Sequence, residues 1–527
     1  MSESVSTPRP KRGASLPPGE QVLAVLAIVG LAWFSIPGTE QDIDGQRFSR
    51  GVLEFDIGSY APHPPGYPVL MGLAKGYHAL FGGAPHRAVA MGSVVGIAIA
   101  TASLYAIARR LFDERVARLS LLLSLASPLI AIFSSRPLSD MLGTGLGLGA
   151  VACALEAHRQ LDQAPAESTS RARAFAVATG ALIALTLGTR LSAVPVTAAA
   201  GLSLLLRAPT RWAALAGGVG GLLLWAVPFF AAVPFETVAR SMGRHAGGHF
   251  NHHGGSVLTV SDPMLRTVSF VRAMWAHGAG GPWSGRPPST LFVGFALGLL
   301  AFAAPSKSRR AALGPSKLIG ACWLVHFAWV MLAQNIQWQP RHVLPLVWLG
   351  LPWLASRALE VWGSSQTDGS VSREEAAPSA GGGGAAAATQ RWWPGVRRGI
   401  LVAGLVAGIA ESRRLVDIQE HVRPAPVRIA EYAATRAQTE PLIVATTQLR
   451  GWIQYRAPGV DVRRVRSWKE VGDLPTDKIV LVTSEVPGAR RFGSPVAKAD
   501  AEPFVSYVLY RMRVHERRPT PSSADTR

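Results

Sequence analysis

The chain has 527 residues, 48% hydrophobic and only 16% charged, with a formal net charge of +20. Soluble domains carry about a quarter charged residues, and their helices keep one polar face, so clustered apolar runs at this charge density exclude an ordinary soluble protein. The basic excess does not imply a nucleic-acid partner, because much of it lies in short segments between apolar runs, where it orients a membrane protein.

Residues 1–20 are rich in Ser, Pro and basic side chains and read as a disordered basic N-terminus. The first apolar run, QVLAVLAIVGLAWFSI at 21–36, follows Arg9, Lys11 and Arg12. It lacks a convincing small-x-small cleavage site downstream and reads as an uncleaved first span, not a signal peptide. Ten further runs, at 88–108, 119–134, 141–157, 174–188, 191–206, 213–233, 289–304, 317–333, 342–356 and 399–410, are nearly free of charge. Flanking Trp, Pro and small residues extend the shorter ones, so the expected fold is a multi-span α-helical membrane protein with about eleven spans.

Arg109, Arg110, Arg115 and Arg118 flank one loop, Arg207 and Arg211 mark another, and Lys307, Arg309, Arg310 and Lys317 a third. An N-terminus on the cytoplasmic side puts all three loops there, as the positive-inside rule requires. Residues 37–87, 135–140, 234–288 and 334–341 then lie outside. Glycine pairs within spans, such as Gly217–Gly218 and Gly220–Gly221, suit close helix packing. Cys153 and Cys322 fall inside spans and read as small apolar fillers, with no disulfide framework.

The membrane body is expected over 21–356, a low-complexity linker over 357–397, and a last span over 398–411. Residues 412–527 change character. PLIVATT (441–447), KIVLVTS (478–484) and FVSYVLYRM (504–512) are β-rich runs, and with the helical stretch VRIAEYAATRA they predict a small α/β domain of about 110 residues, outside the cytoplasm by span parity.

Ionisable residues at the membrane edge are where function is sought. TEQDIDGQRF crowds Glu40, Asp42 and Asp44 just past the first span; such carboxylates suit a general base or a divalent cation, or form a solvated turn. YAPHPPGYPVL (60–70) follows. Its prolines hold His63 out of a helix, and Pro68 can open the next one. In SSRPLSD, Arg136 is a candidate phosphate ligand and Asp140 a partner for acceptor or metal, with a structural salt bridge between them as the plainer alternative. GRHAGGHFNHHGG (243–255) carries His245, His249, His252 and His253. The spacing matches no standard zinc site, and Gly247–Gly248 is expected to break any helix there. A closing loop whose imidazoles donate to phosphate or sugar oxygens is the preferred reading. Arg190 in GTRLSAVP and Arg341 in QWQPRHVLP are costly to bury unless paired with an anion, a carboxylate or a phosphate headgroup. There is no Walker motif, Rossmann fingerprint or HExxH.

Taken in order, the first-loop acid, PHPPGYP, RPLSD, TRLS and PRHVLPL resemble the GT-C superfamily of integral-membrane glycosyltransferases, within it the protein O-mannosyltransferase and aminoarabinose-transferase type. The likeness covers roughly residues 21–356. It implies sugar transfer from a polyprenyl-phosphate donor to a glycan, lipid or protein acceptor at the outer face of the cytoplasmic membrane. It also implies that a first-loop aspartate acts as base or metal ligand and that basic residues bind the lipid phosphate. Carried onto this sequence, Asp44 matches the first-loop acid, with Asp42 in reserve; His63 lies in the proline segment; Asp140 matches the second-loop acid; and Arg341 matches the late arginine, where His342 replaces the usual aromatic. The sequence identifies no definite cofactor, and a divalent cation is compatible with the acids. The alternative is a multi-span transporter or flippase of a lipid-linked or anionic substrate, which predicts mid-span charges and repeated halves.

Overall fold

The computed structural model describes residues 18–163, 166–253, 255–302, 313–337, 339–367, 384–421, 423–446, 450–475, 477–483, 486–492, 497–499 and 512–517. The chain enters through the apolar helix α1 (Pro18–Phe34) and rises to a long loop with two short helices, α2 (Ile43–Leu53) and α3 (Pro68–Phe81). The face carrying this loop is the upper face below. The body continues through α4 (Pro85–Leu111), α5 (Glu114–Leu125), α6 (Pro128–Phe133), α7 (Asp140–Leu161), α8 (Ala166–Thr189), α9 (Ala198–Leu205) and α10 (Ala208–Ala232). Above it lie α11 (Phe235–Gly248) and α12 (Pro263–Arg272); α13 (Thr290–Phe302), α14 (Leu313–Ala333), α15 (Leu344–Thr367) and α16 (Gly384–His421) complete it.

Each apolar run falls on a helix or a broken helix. Ser127 caps α6, and Pro128 at its start interrupts the α5–α6 pair. Five helices are long and apolar enough to cross a membrane by length and composition: Pro85–Leu111, Asp140–Leu161, Glu167–Thr189, Ala208–Ala232 and Gly314–Ala333. Outward faces of the body are apolar, on these helices and on the shorter α13 alike. Leu223, Leu224 and Val227 on α10 and Phe292 and Phe295 on α13 are exposed, an arrangement stable only against lipid.

The expected linker is helical at both ends. The helix α15 runs on to Thr367, and the last span belongs to a helix that begins at Gly384 and reaches His421, ten residues into the segment expected to be soluble. The intervening 368–383 and the basic residues 1–17 lie outside the described residues.

Gly217 is where α10 meets α8. A Cβ there would lie 2.0 Å from the Val177 carbonyl oxygen, whereas a Cβ at Gly220 meets nothing within 4 Å. Missing side chains allow the two backbones to touch, as small residues do between helices in lipid.

The C-terminal domain follows α16. It contains α17 (Ala425–Ala437), β1 (Leu442–Thr446), α18 (Arg450–Arg456), β2 (Asp461–Arg464), α19 (Trp468–Gly472), β3 (Ile479–Thr483), β4 (Ala497–Ala499) and β5 (Met512–Arg517). The strand order is β2-β1-β3-β5-β4; β1 pairs parallel with β2 and β3, and β5 pairs antiparallel with β3 and β4. The runs PLIVATT and KIVLVTS form β1 and β3, buried along nearly their whole length. The run FVSYVLYRM lies outside the described residues except for Met512, which opens β5.

We expect Gly217→Val to destabilise the body by about 1–3 kcal/mol through overpacking, and Gly220→Val to be neutral. Thermal unfolding of the purified variants in detergent checks the contrast, and equal melting temperatures would reject the close α8–α10 contact.

Candidate functional site

The first-loop acids are placed by a short amphipathic helix. Asp42 caps α2, with its Oδ1 accepting from Gly45 N at 2.9 Å, and Asp44 lies in the first turn, where the helix dipole favours an anion. Gly45, Phe48, Ser49 and Val52 form the buried stripe of α2, at helical spacing.

The proline segment forms the floor. Asp56 and Ala61 pair through backbone bonds of 2.6 and 2.8 Å, and Gly66 N closes a turn on His63 O at 3.1 Å. Gly66 has φ +97, and a Cβ there would meet Ile57 at 2.7 Å and Phe229 at 3.1 Å, so both conformation and space require glycine. Pro68 then opens α3. The floor holds His63 at 6% exposure, its ring 5.2 Å from Phe48, with Nε2 2.7 Å from the Tyr67 hydroxyl and Nδ1 3.8 Å from Asp44 Oδ1.

The centre of the site is Arg341, on the tight turn Pro340–Val343 that leads into α15. Its Nη2 lies 2.6 Å from Asp44 Oδ2, its Nη1 3.4 Å from Asp42 Oδ2 and its Nε 3.6 Å from Asp140 Oδ1. Asp140 opens α7 and also faces Arg190 Nη2 at 2.9 Å, while Arg190 Nη1 donates to Ser139 Oγ at 2.8 Å. Arg47, one turn along α2, reaches Asp44 Oδ1 at 3.3 Å. Arg136 is fully buried beside this group, and its Nε donates to Gln419 Oε1 at 2.7 Å.

Six of the candidate residues therefore share one cluster: Asp42, Asp44, His63, Asp140, Arg190 and Arg341. Arg136 borders it. The histidine segment approaches from above but is not a glycine-broken loop. The helix α11 runs through Gly247–Gly248 and passes into a π-helical turn, His249–His253. Two glycines cost a helix only about 2 kcal/mol together, which packing can offset. The i, i+4 spacing then puts His245 and His249 on one face. The His245 ring lies 5.9 Å from His63, and His249 Nε2 lies 2.8 Å from the Ala333 carbonyl oxygen. The side chains of His252 and His253 lie outside the described residues. Arg47, Tyr67 and Gln419 belong to this neighbourhood although the sequence reading did not select them, and His245, named within the histidine segment, joins them. Arg47 had a signal, its i+3 relation to Asp44 on a helix; Gln419 had none.

The electrostatics separate the two first-loop acids. Burial pushes the Asp42 carboxyl up, and neighbouring Asp44 adds to this against the pull of Arg341. Burial also acts on Asp44, but His63, Arg341 and Arg47 outweigh it and hold that carboxyl well below the usual range. Burial pushes His63 down to about 3, against the attraction of Asp44. His63 is then neutral at neutral pH, and Arg341 and Arg47 are the groups that keep Asp44 ionised there. Burial pulls on Arg341 too, yet Asp140, Asp44 and Asp42 raise it above the ordinary arginine value. Asp42 spends one oxygen on the helix cap and is 3% exposed, whereas the Asp44 side chain is 16% exposed. Asp44 is the carboxylate an incoming group can reach. Both oxygens of Asp140 are buried and have no geometrically satisfied hydrogen bond among the described residues.

Among the described residues, the group of three whose ligand atoms converge on one point is Asp417, Glu420 and His421 on α16, partly exposed and remote in sequence from the cluster. Between Asp42, Asp44 and Asp140 lies the Arg341 guanidinium, which supplies the positive charge locally.

Removing Arg341 leaves three carboxylates facing one another out of water. We expect Arg341→Gln to cost about 3–5 kcal/mol, the scale for breaking a buried ion pair. Thermal unfolding checks this, and a variant as stable as the parent would show that the acids do not depend on Arg341.

Residues 62–233 match the family model described as dolichyl-phosphate-mannose-protein mannosyltransferase. No curated protein matches the sequence. Among solved structures, ArnT from Cupriavidus metallidurans in the apo state is similar at a TM-score of 0.52 and 16% identity, covering 94% of this chain and 98% of that one. The same ArnT bound to undecaprenyl phosphate has a TM-score of 0.49 at the same identity and coverage. The archaeal oligosaccharyltransferase AglB from Archaeoglobus fulgidus, in complex with an inhibitory peptide and a dolichol-phosphate, has a TM-score of 0.44 at 11% identity, covering 90% of this chain and 70% of that one. The family match over residues 62–233 and the fold match over nearly the whole chain agree: this is a multi-pass helical membrane protein with the GT-C glycosyltransferase fold and a small C-terminal α/β domain.

Proposed function

We propose that this protein transfers a sugar from a polyprenyl-phosphate donor to a glycan, lipid or protein acceptor, with Asp44 as the base. The upper face is then the extracytoplasmic side of the cytoplasmic membrane. The observation that carries the reading is the accessible Asp44 carboxylate held within reach of Arg341 and Arg47, beside Arg190 and Arg136, where the bundle ends. One acid among several fixed cations suits a reaction that takes a proton from one partner and leaves negative charge on the other.

In the proposed step, the acceptor hydroxyl gives its proton to Asp44, and its oxygen attacks the anomeric carbon. The bond from that carbon to the lipid phosphate breaks, and the phosphate leaves with the electron pair. Arg341 and Arg190 stabilise the added charge. Asp140 has acceptor capacity left for a sugar or acceptor hydroxyl. Metal chemistry is not needed for this sequence of events, since the Arg341 guanidinium lies among the acids.

A carboxylate held so far below its usual range is a weak base. The donor changes this. Its phosphate draws on the same Arg341 charge and adds a negative charge nearby, and both effects raise the basicity of Asp44. Asp44 is thereby activated only when donor is bound.

A transporter places its charges near mid-span, around a site opened alternately to both sides. Here the ionic cluster lies on the loops and helix ends of the upper face, which favours transfer.

We expect Asp44→Asn to abolish transfer from a labelled polyprenyl-phosphate sugar in vesicles while the protein stays folded. Unchanged turnover would reject the base assignment, and movement of label across the vesicle without any product would favour the transporter. For the parent, kcat/KM reports the free enzyme and stays level as pH falls from about 7 to about 5, because Asp44 remains ionised there. In contrast, kcat reports the donor complex, where Asp44 is more basic, so kcat starts to fall with decreasing pH at a higher pH than kcat/KM does. Were Asp42 the base, its raised carboxyl would move the acid limb of kcat/KM to higher pH than Asp44 allows.

A further inference from the structure

The helix that carries Asp42 and Asp44 is gripped from two sides. Its lower side rests on the proline floor; its upper side meets the C-terminal domain. Glu40 is 1% exposed, and its carboxylate pairs with Arg456 Nη2, which also donates to Thr39 Oγ1 at 3.1 Å. Ile43 packs against the core of the domain, which includes Val427, Trp452 and Ile453. Gln46 Nε2 donates to Gly451 O at 3.3 Å. These anchors lie at 40, 43 and 46, the last two one helical turn apart on α2, and they alternate with Asp42 and Asp44, which face Arg341. The same C-terminal chain also reaches the second acidic loop: Gln419 at the end of α16 accepts from Arg136 and donates to Ser135 Oγ at 3.1 Å.

We infer that the C-terminal domain is a clamp that sets the position of Asp44, and that Arg456 is its positioning residue. The inference rests on the proposed role of Asp44. The argument is one of leverage. Arg456 ends α18, whose Trp452 and Ile453 are buried in the domain, so its guanidinium is fixed to a rigid body. Glu40 lies in a loop outside any helix, four residues before Asp44. With the pair formed, Glu40 cannot move without dragging the domain. With it broken, a buried carboxylate is left without its charge partner and the 39–46 segment must rearrange to rehydrate it. Asp44 would follow, and a displacement of about 1 Å at a reacting group costs up to about a hundredfold in rate. The clamp touches neither Arg341 nor Arg190, so donor binding should survive its loss.

The test uses the full chain in vesicles, with Arg456→Ala and Glu40→Gln breaking the pair from opposite partners and Arg456→Lys keeping the charge. We expect kcat to fall at least about tenfold in Arg456→Ala and Glu40→Gln, with the donor KM changed less than about twofold, and Arg456→Lys to recover most of the loss. Hydrogen–deuterium exchange of peptides spanning 39–50 should rise in the first two variants and not in the third. Unaltered exchange in both pair-breaking variants would overturn the clamp whether or not sugar transfer is observed. Raised exchange with unchanged kcat would overturn the positioning role. A parent protein with no transfer activity would count against the proposed function alone, since the exchange measurement still decides whether the domain holds the loop. Should Arg456→Ala fail to fold, Glu40→Gln leaves every side chain of the domain intact and decides the same question.

Discussion

The upper face of this protein is organised by one buried cation. An arginine taken out of water costs several kcal/mol unless its charge is met, and the same holds for each carboxylate around it. Arg341 meets Asp42, Asp44 and Asp140 at once, across 299, 297 and about 200 residues of chain. No local structure could bring these groups together. They meet because α1, α6, α8 and α14 all end at the same level, so that the loops following them converge on the start of α15. Close glycine contacts between helices keep that level fixed, since a bundle that packed more loosely would separate loops which tolerate only tenths of an ångström.

A cluster so well satisfied at rest has a cost in reactivity. Arg341 that stabilises Asp44 also suppresses it as a base, and Asp42, whose carboxyl is raised, is occupied as a helix cap and shielded. The stable resting state and the reactive state must therefore differ in where the Arg341 charge is spent. In the proposed reaction an anionic donor supplies that difference. On that proposal, binding energy from the phosphate redistributes charge at the reacting carboxylate, which is the kind of interaction that contributes to rate and not merely to affinity. It also protects against futile chemistry, because Asp44 is least basic when no donor is present.

Much of this was legible in the sequence for reasons that can be named. Spans announce themselves because lipid tolerates no polar helix face, and each apolar run became a helix. Asp44, Asp140, Arg190 and Arg341 stood out because ions at a membrane edge are expensive and few. Pairing was harder to read. Arg136 and Asp140 are four apart, which on a helix makes a salt bridge natural, but 136–139 is a tight turn, with Leu138 N bonded to Arg136 O at 2.7 Å, and α7 begins only at Asp140. Arg190, fifty residues on, faces the carboxylate instead. Gly247–Gly248 misled in the opposite direction: glycine weakens a helix without forbidding it, and flanking contacts such as that of His249 with the end of α14 decide the outcome. Gln419 could not have been found, because nothing about a lone glutamine near a span end distinguishes a partner of Arg136 from a solvated side chain.

The proline segment and the C-terminal domain solve the same problem from opposite sides. A catalytic carboxylate on a loop is poorly placed unless the loop is over-determined, because each freely rotating backbone residue admits displacements larger than a reaction tolerates. YAPHPPGYPVL removes freedom from below: its prolines fix their own φ, Gly66 is wedged between Ile57 and Phe229, and the His63–Tyr67 pair seals the floor against Phe48. The domain removes it from above through Glu40, Ile43 and Gln46. The domain does not touch the oxygens of Asp44, and the floor approaches them only through His63 Nδ1 at 3.8 Å. That division leaves the carboxylate free to exchange partners with Arg341 and an incoming phosphate while the helix beneath it stays still.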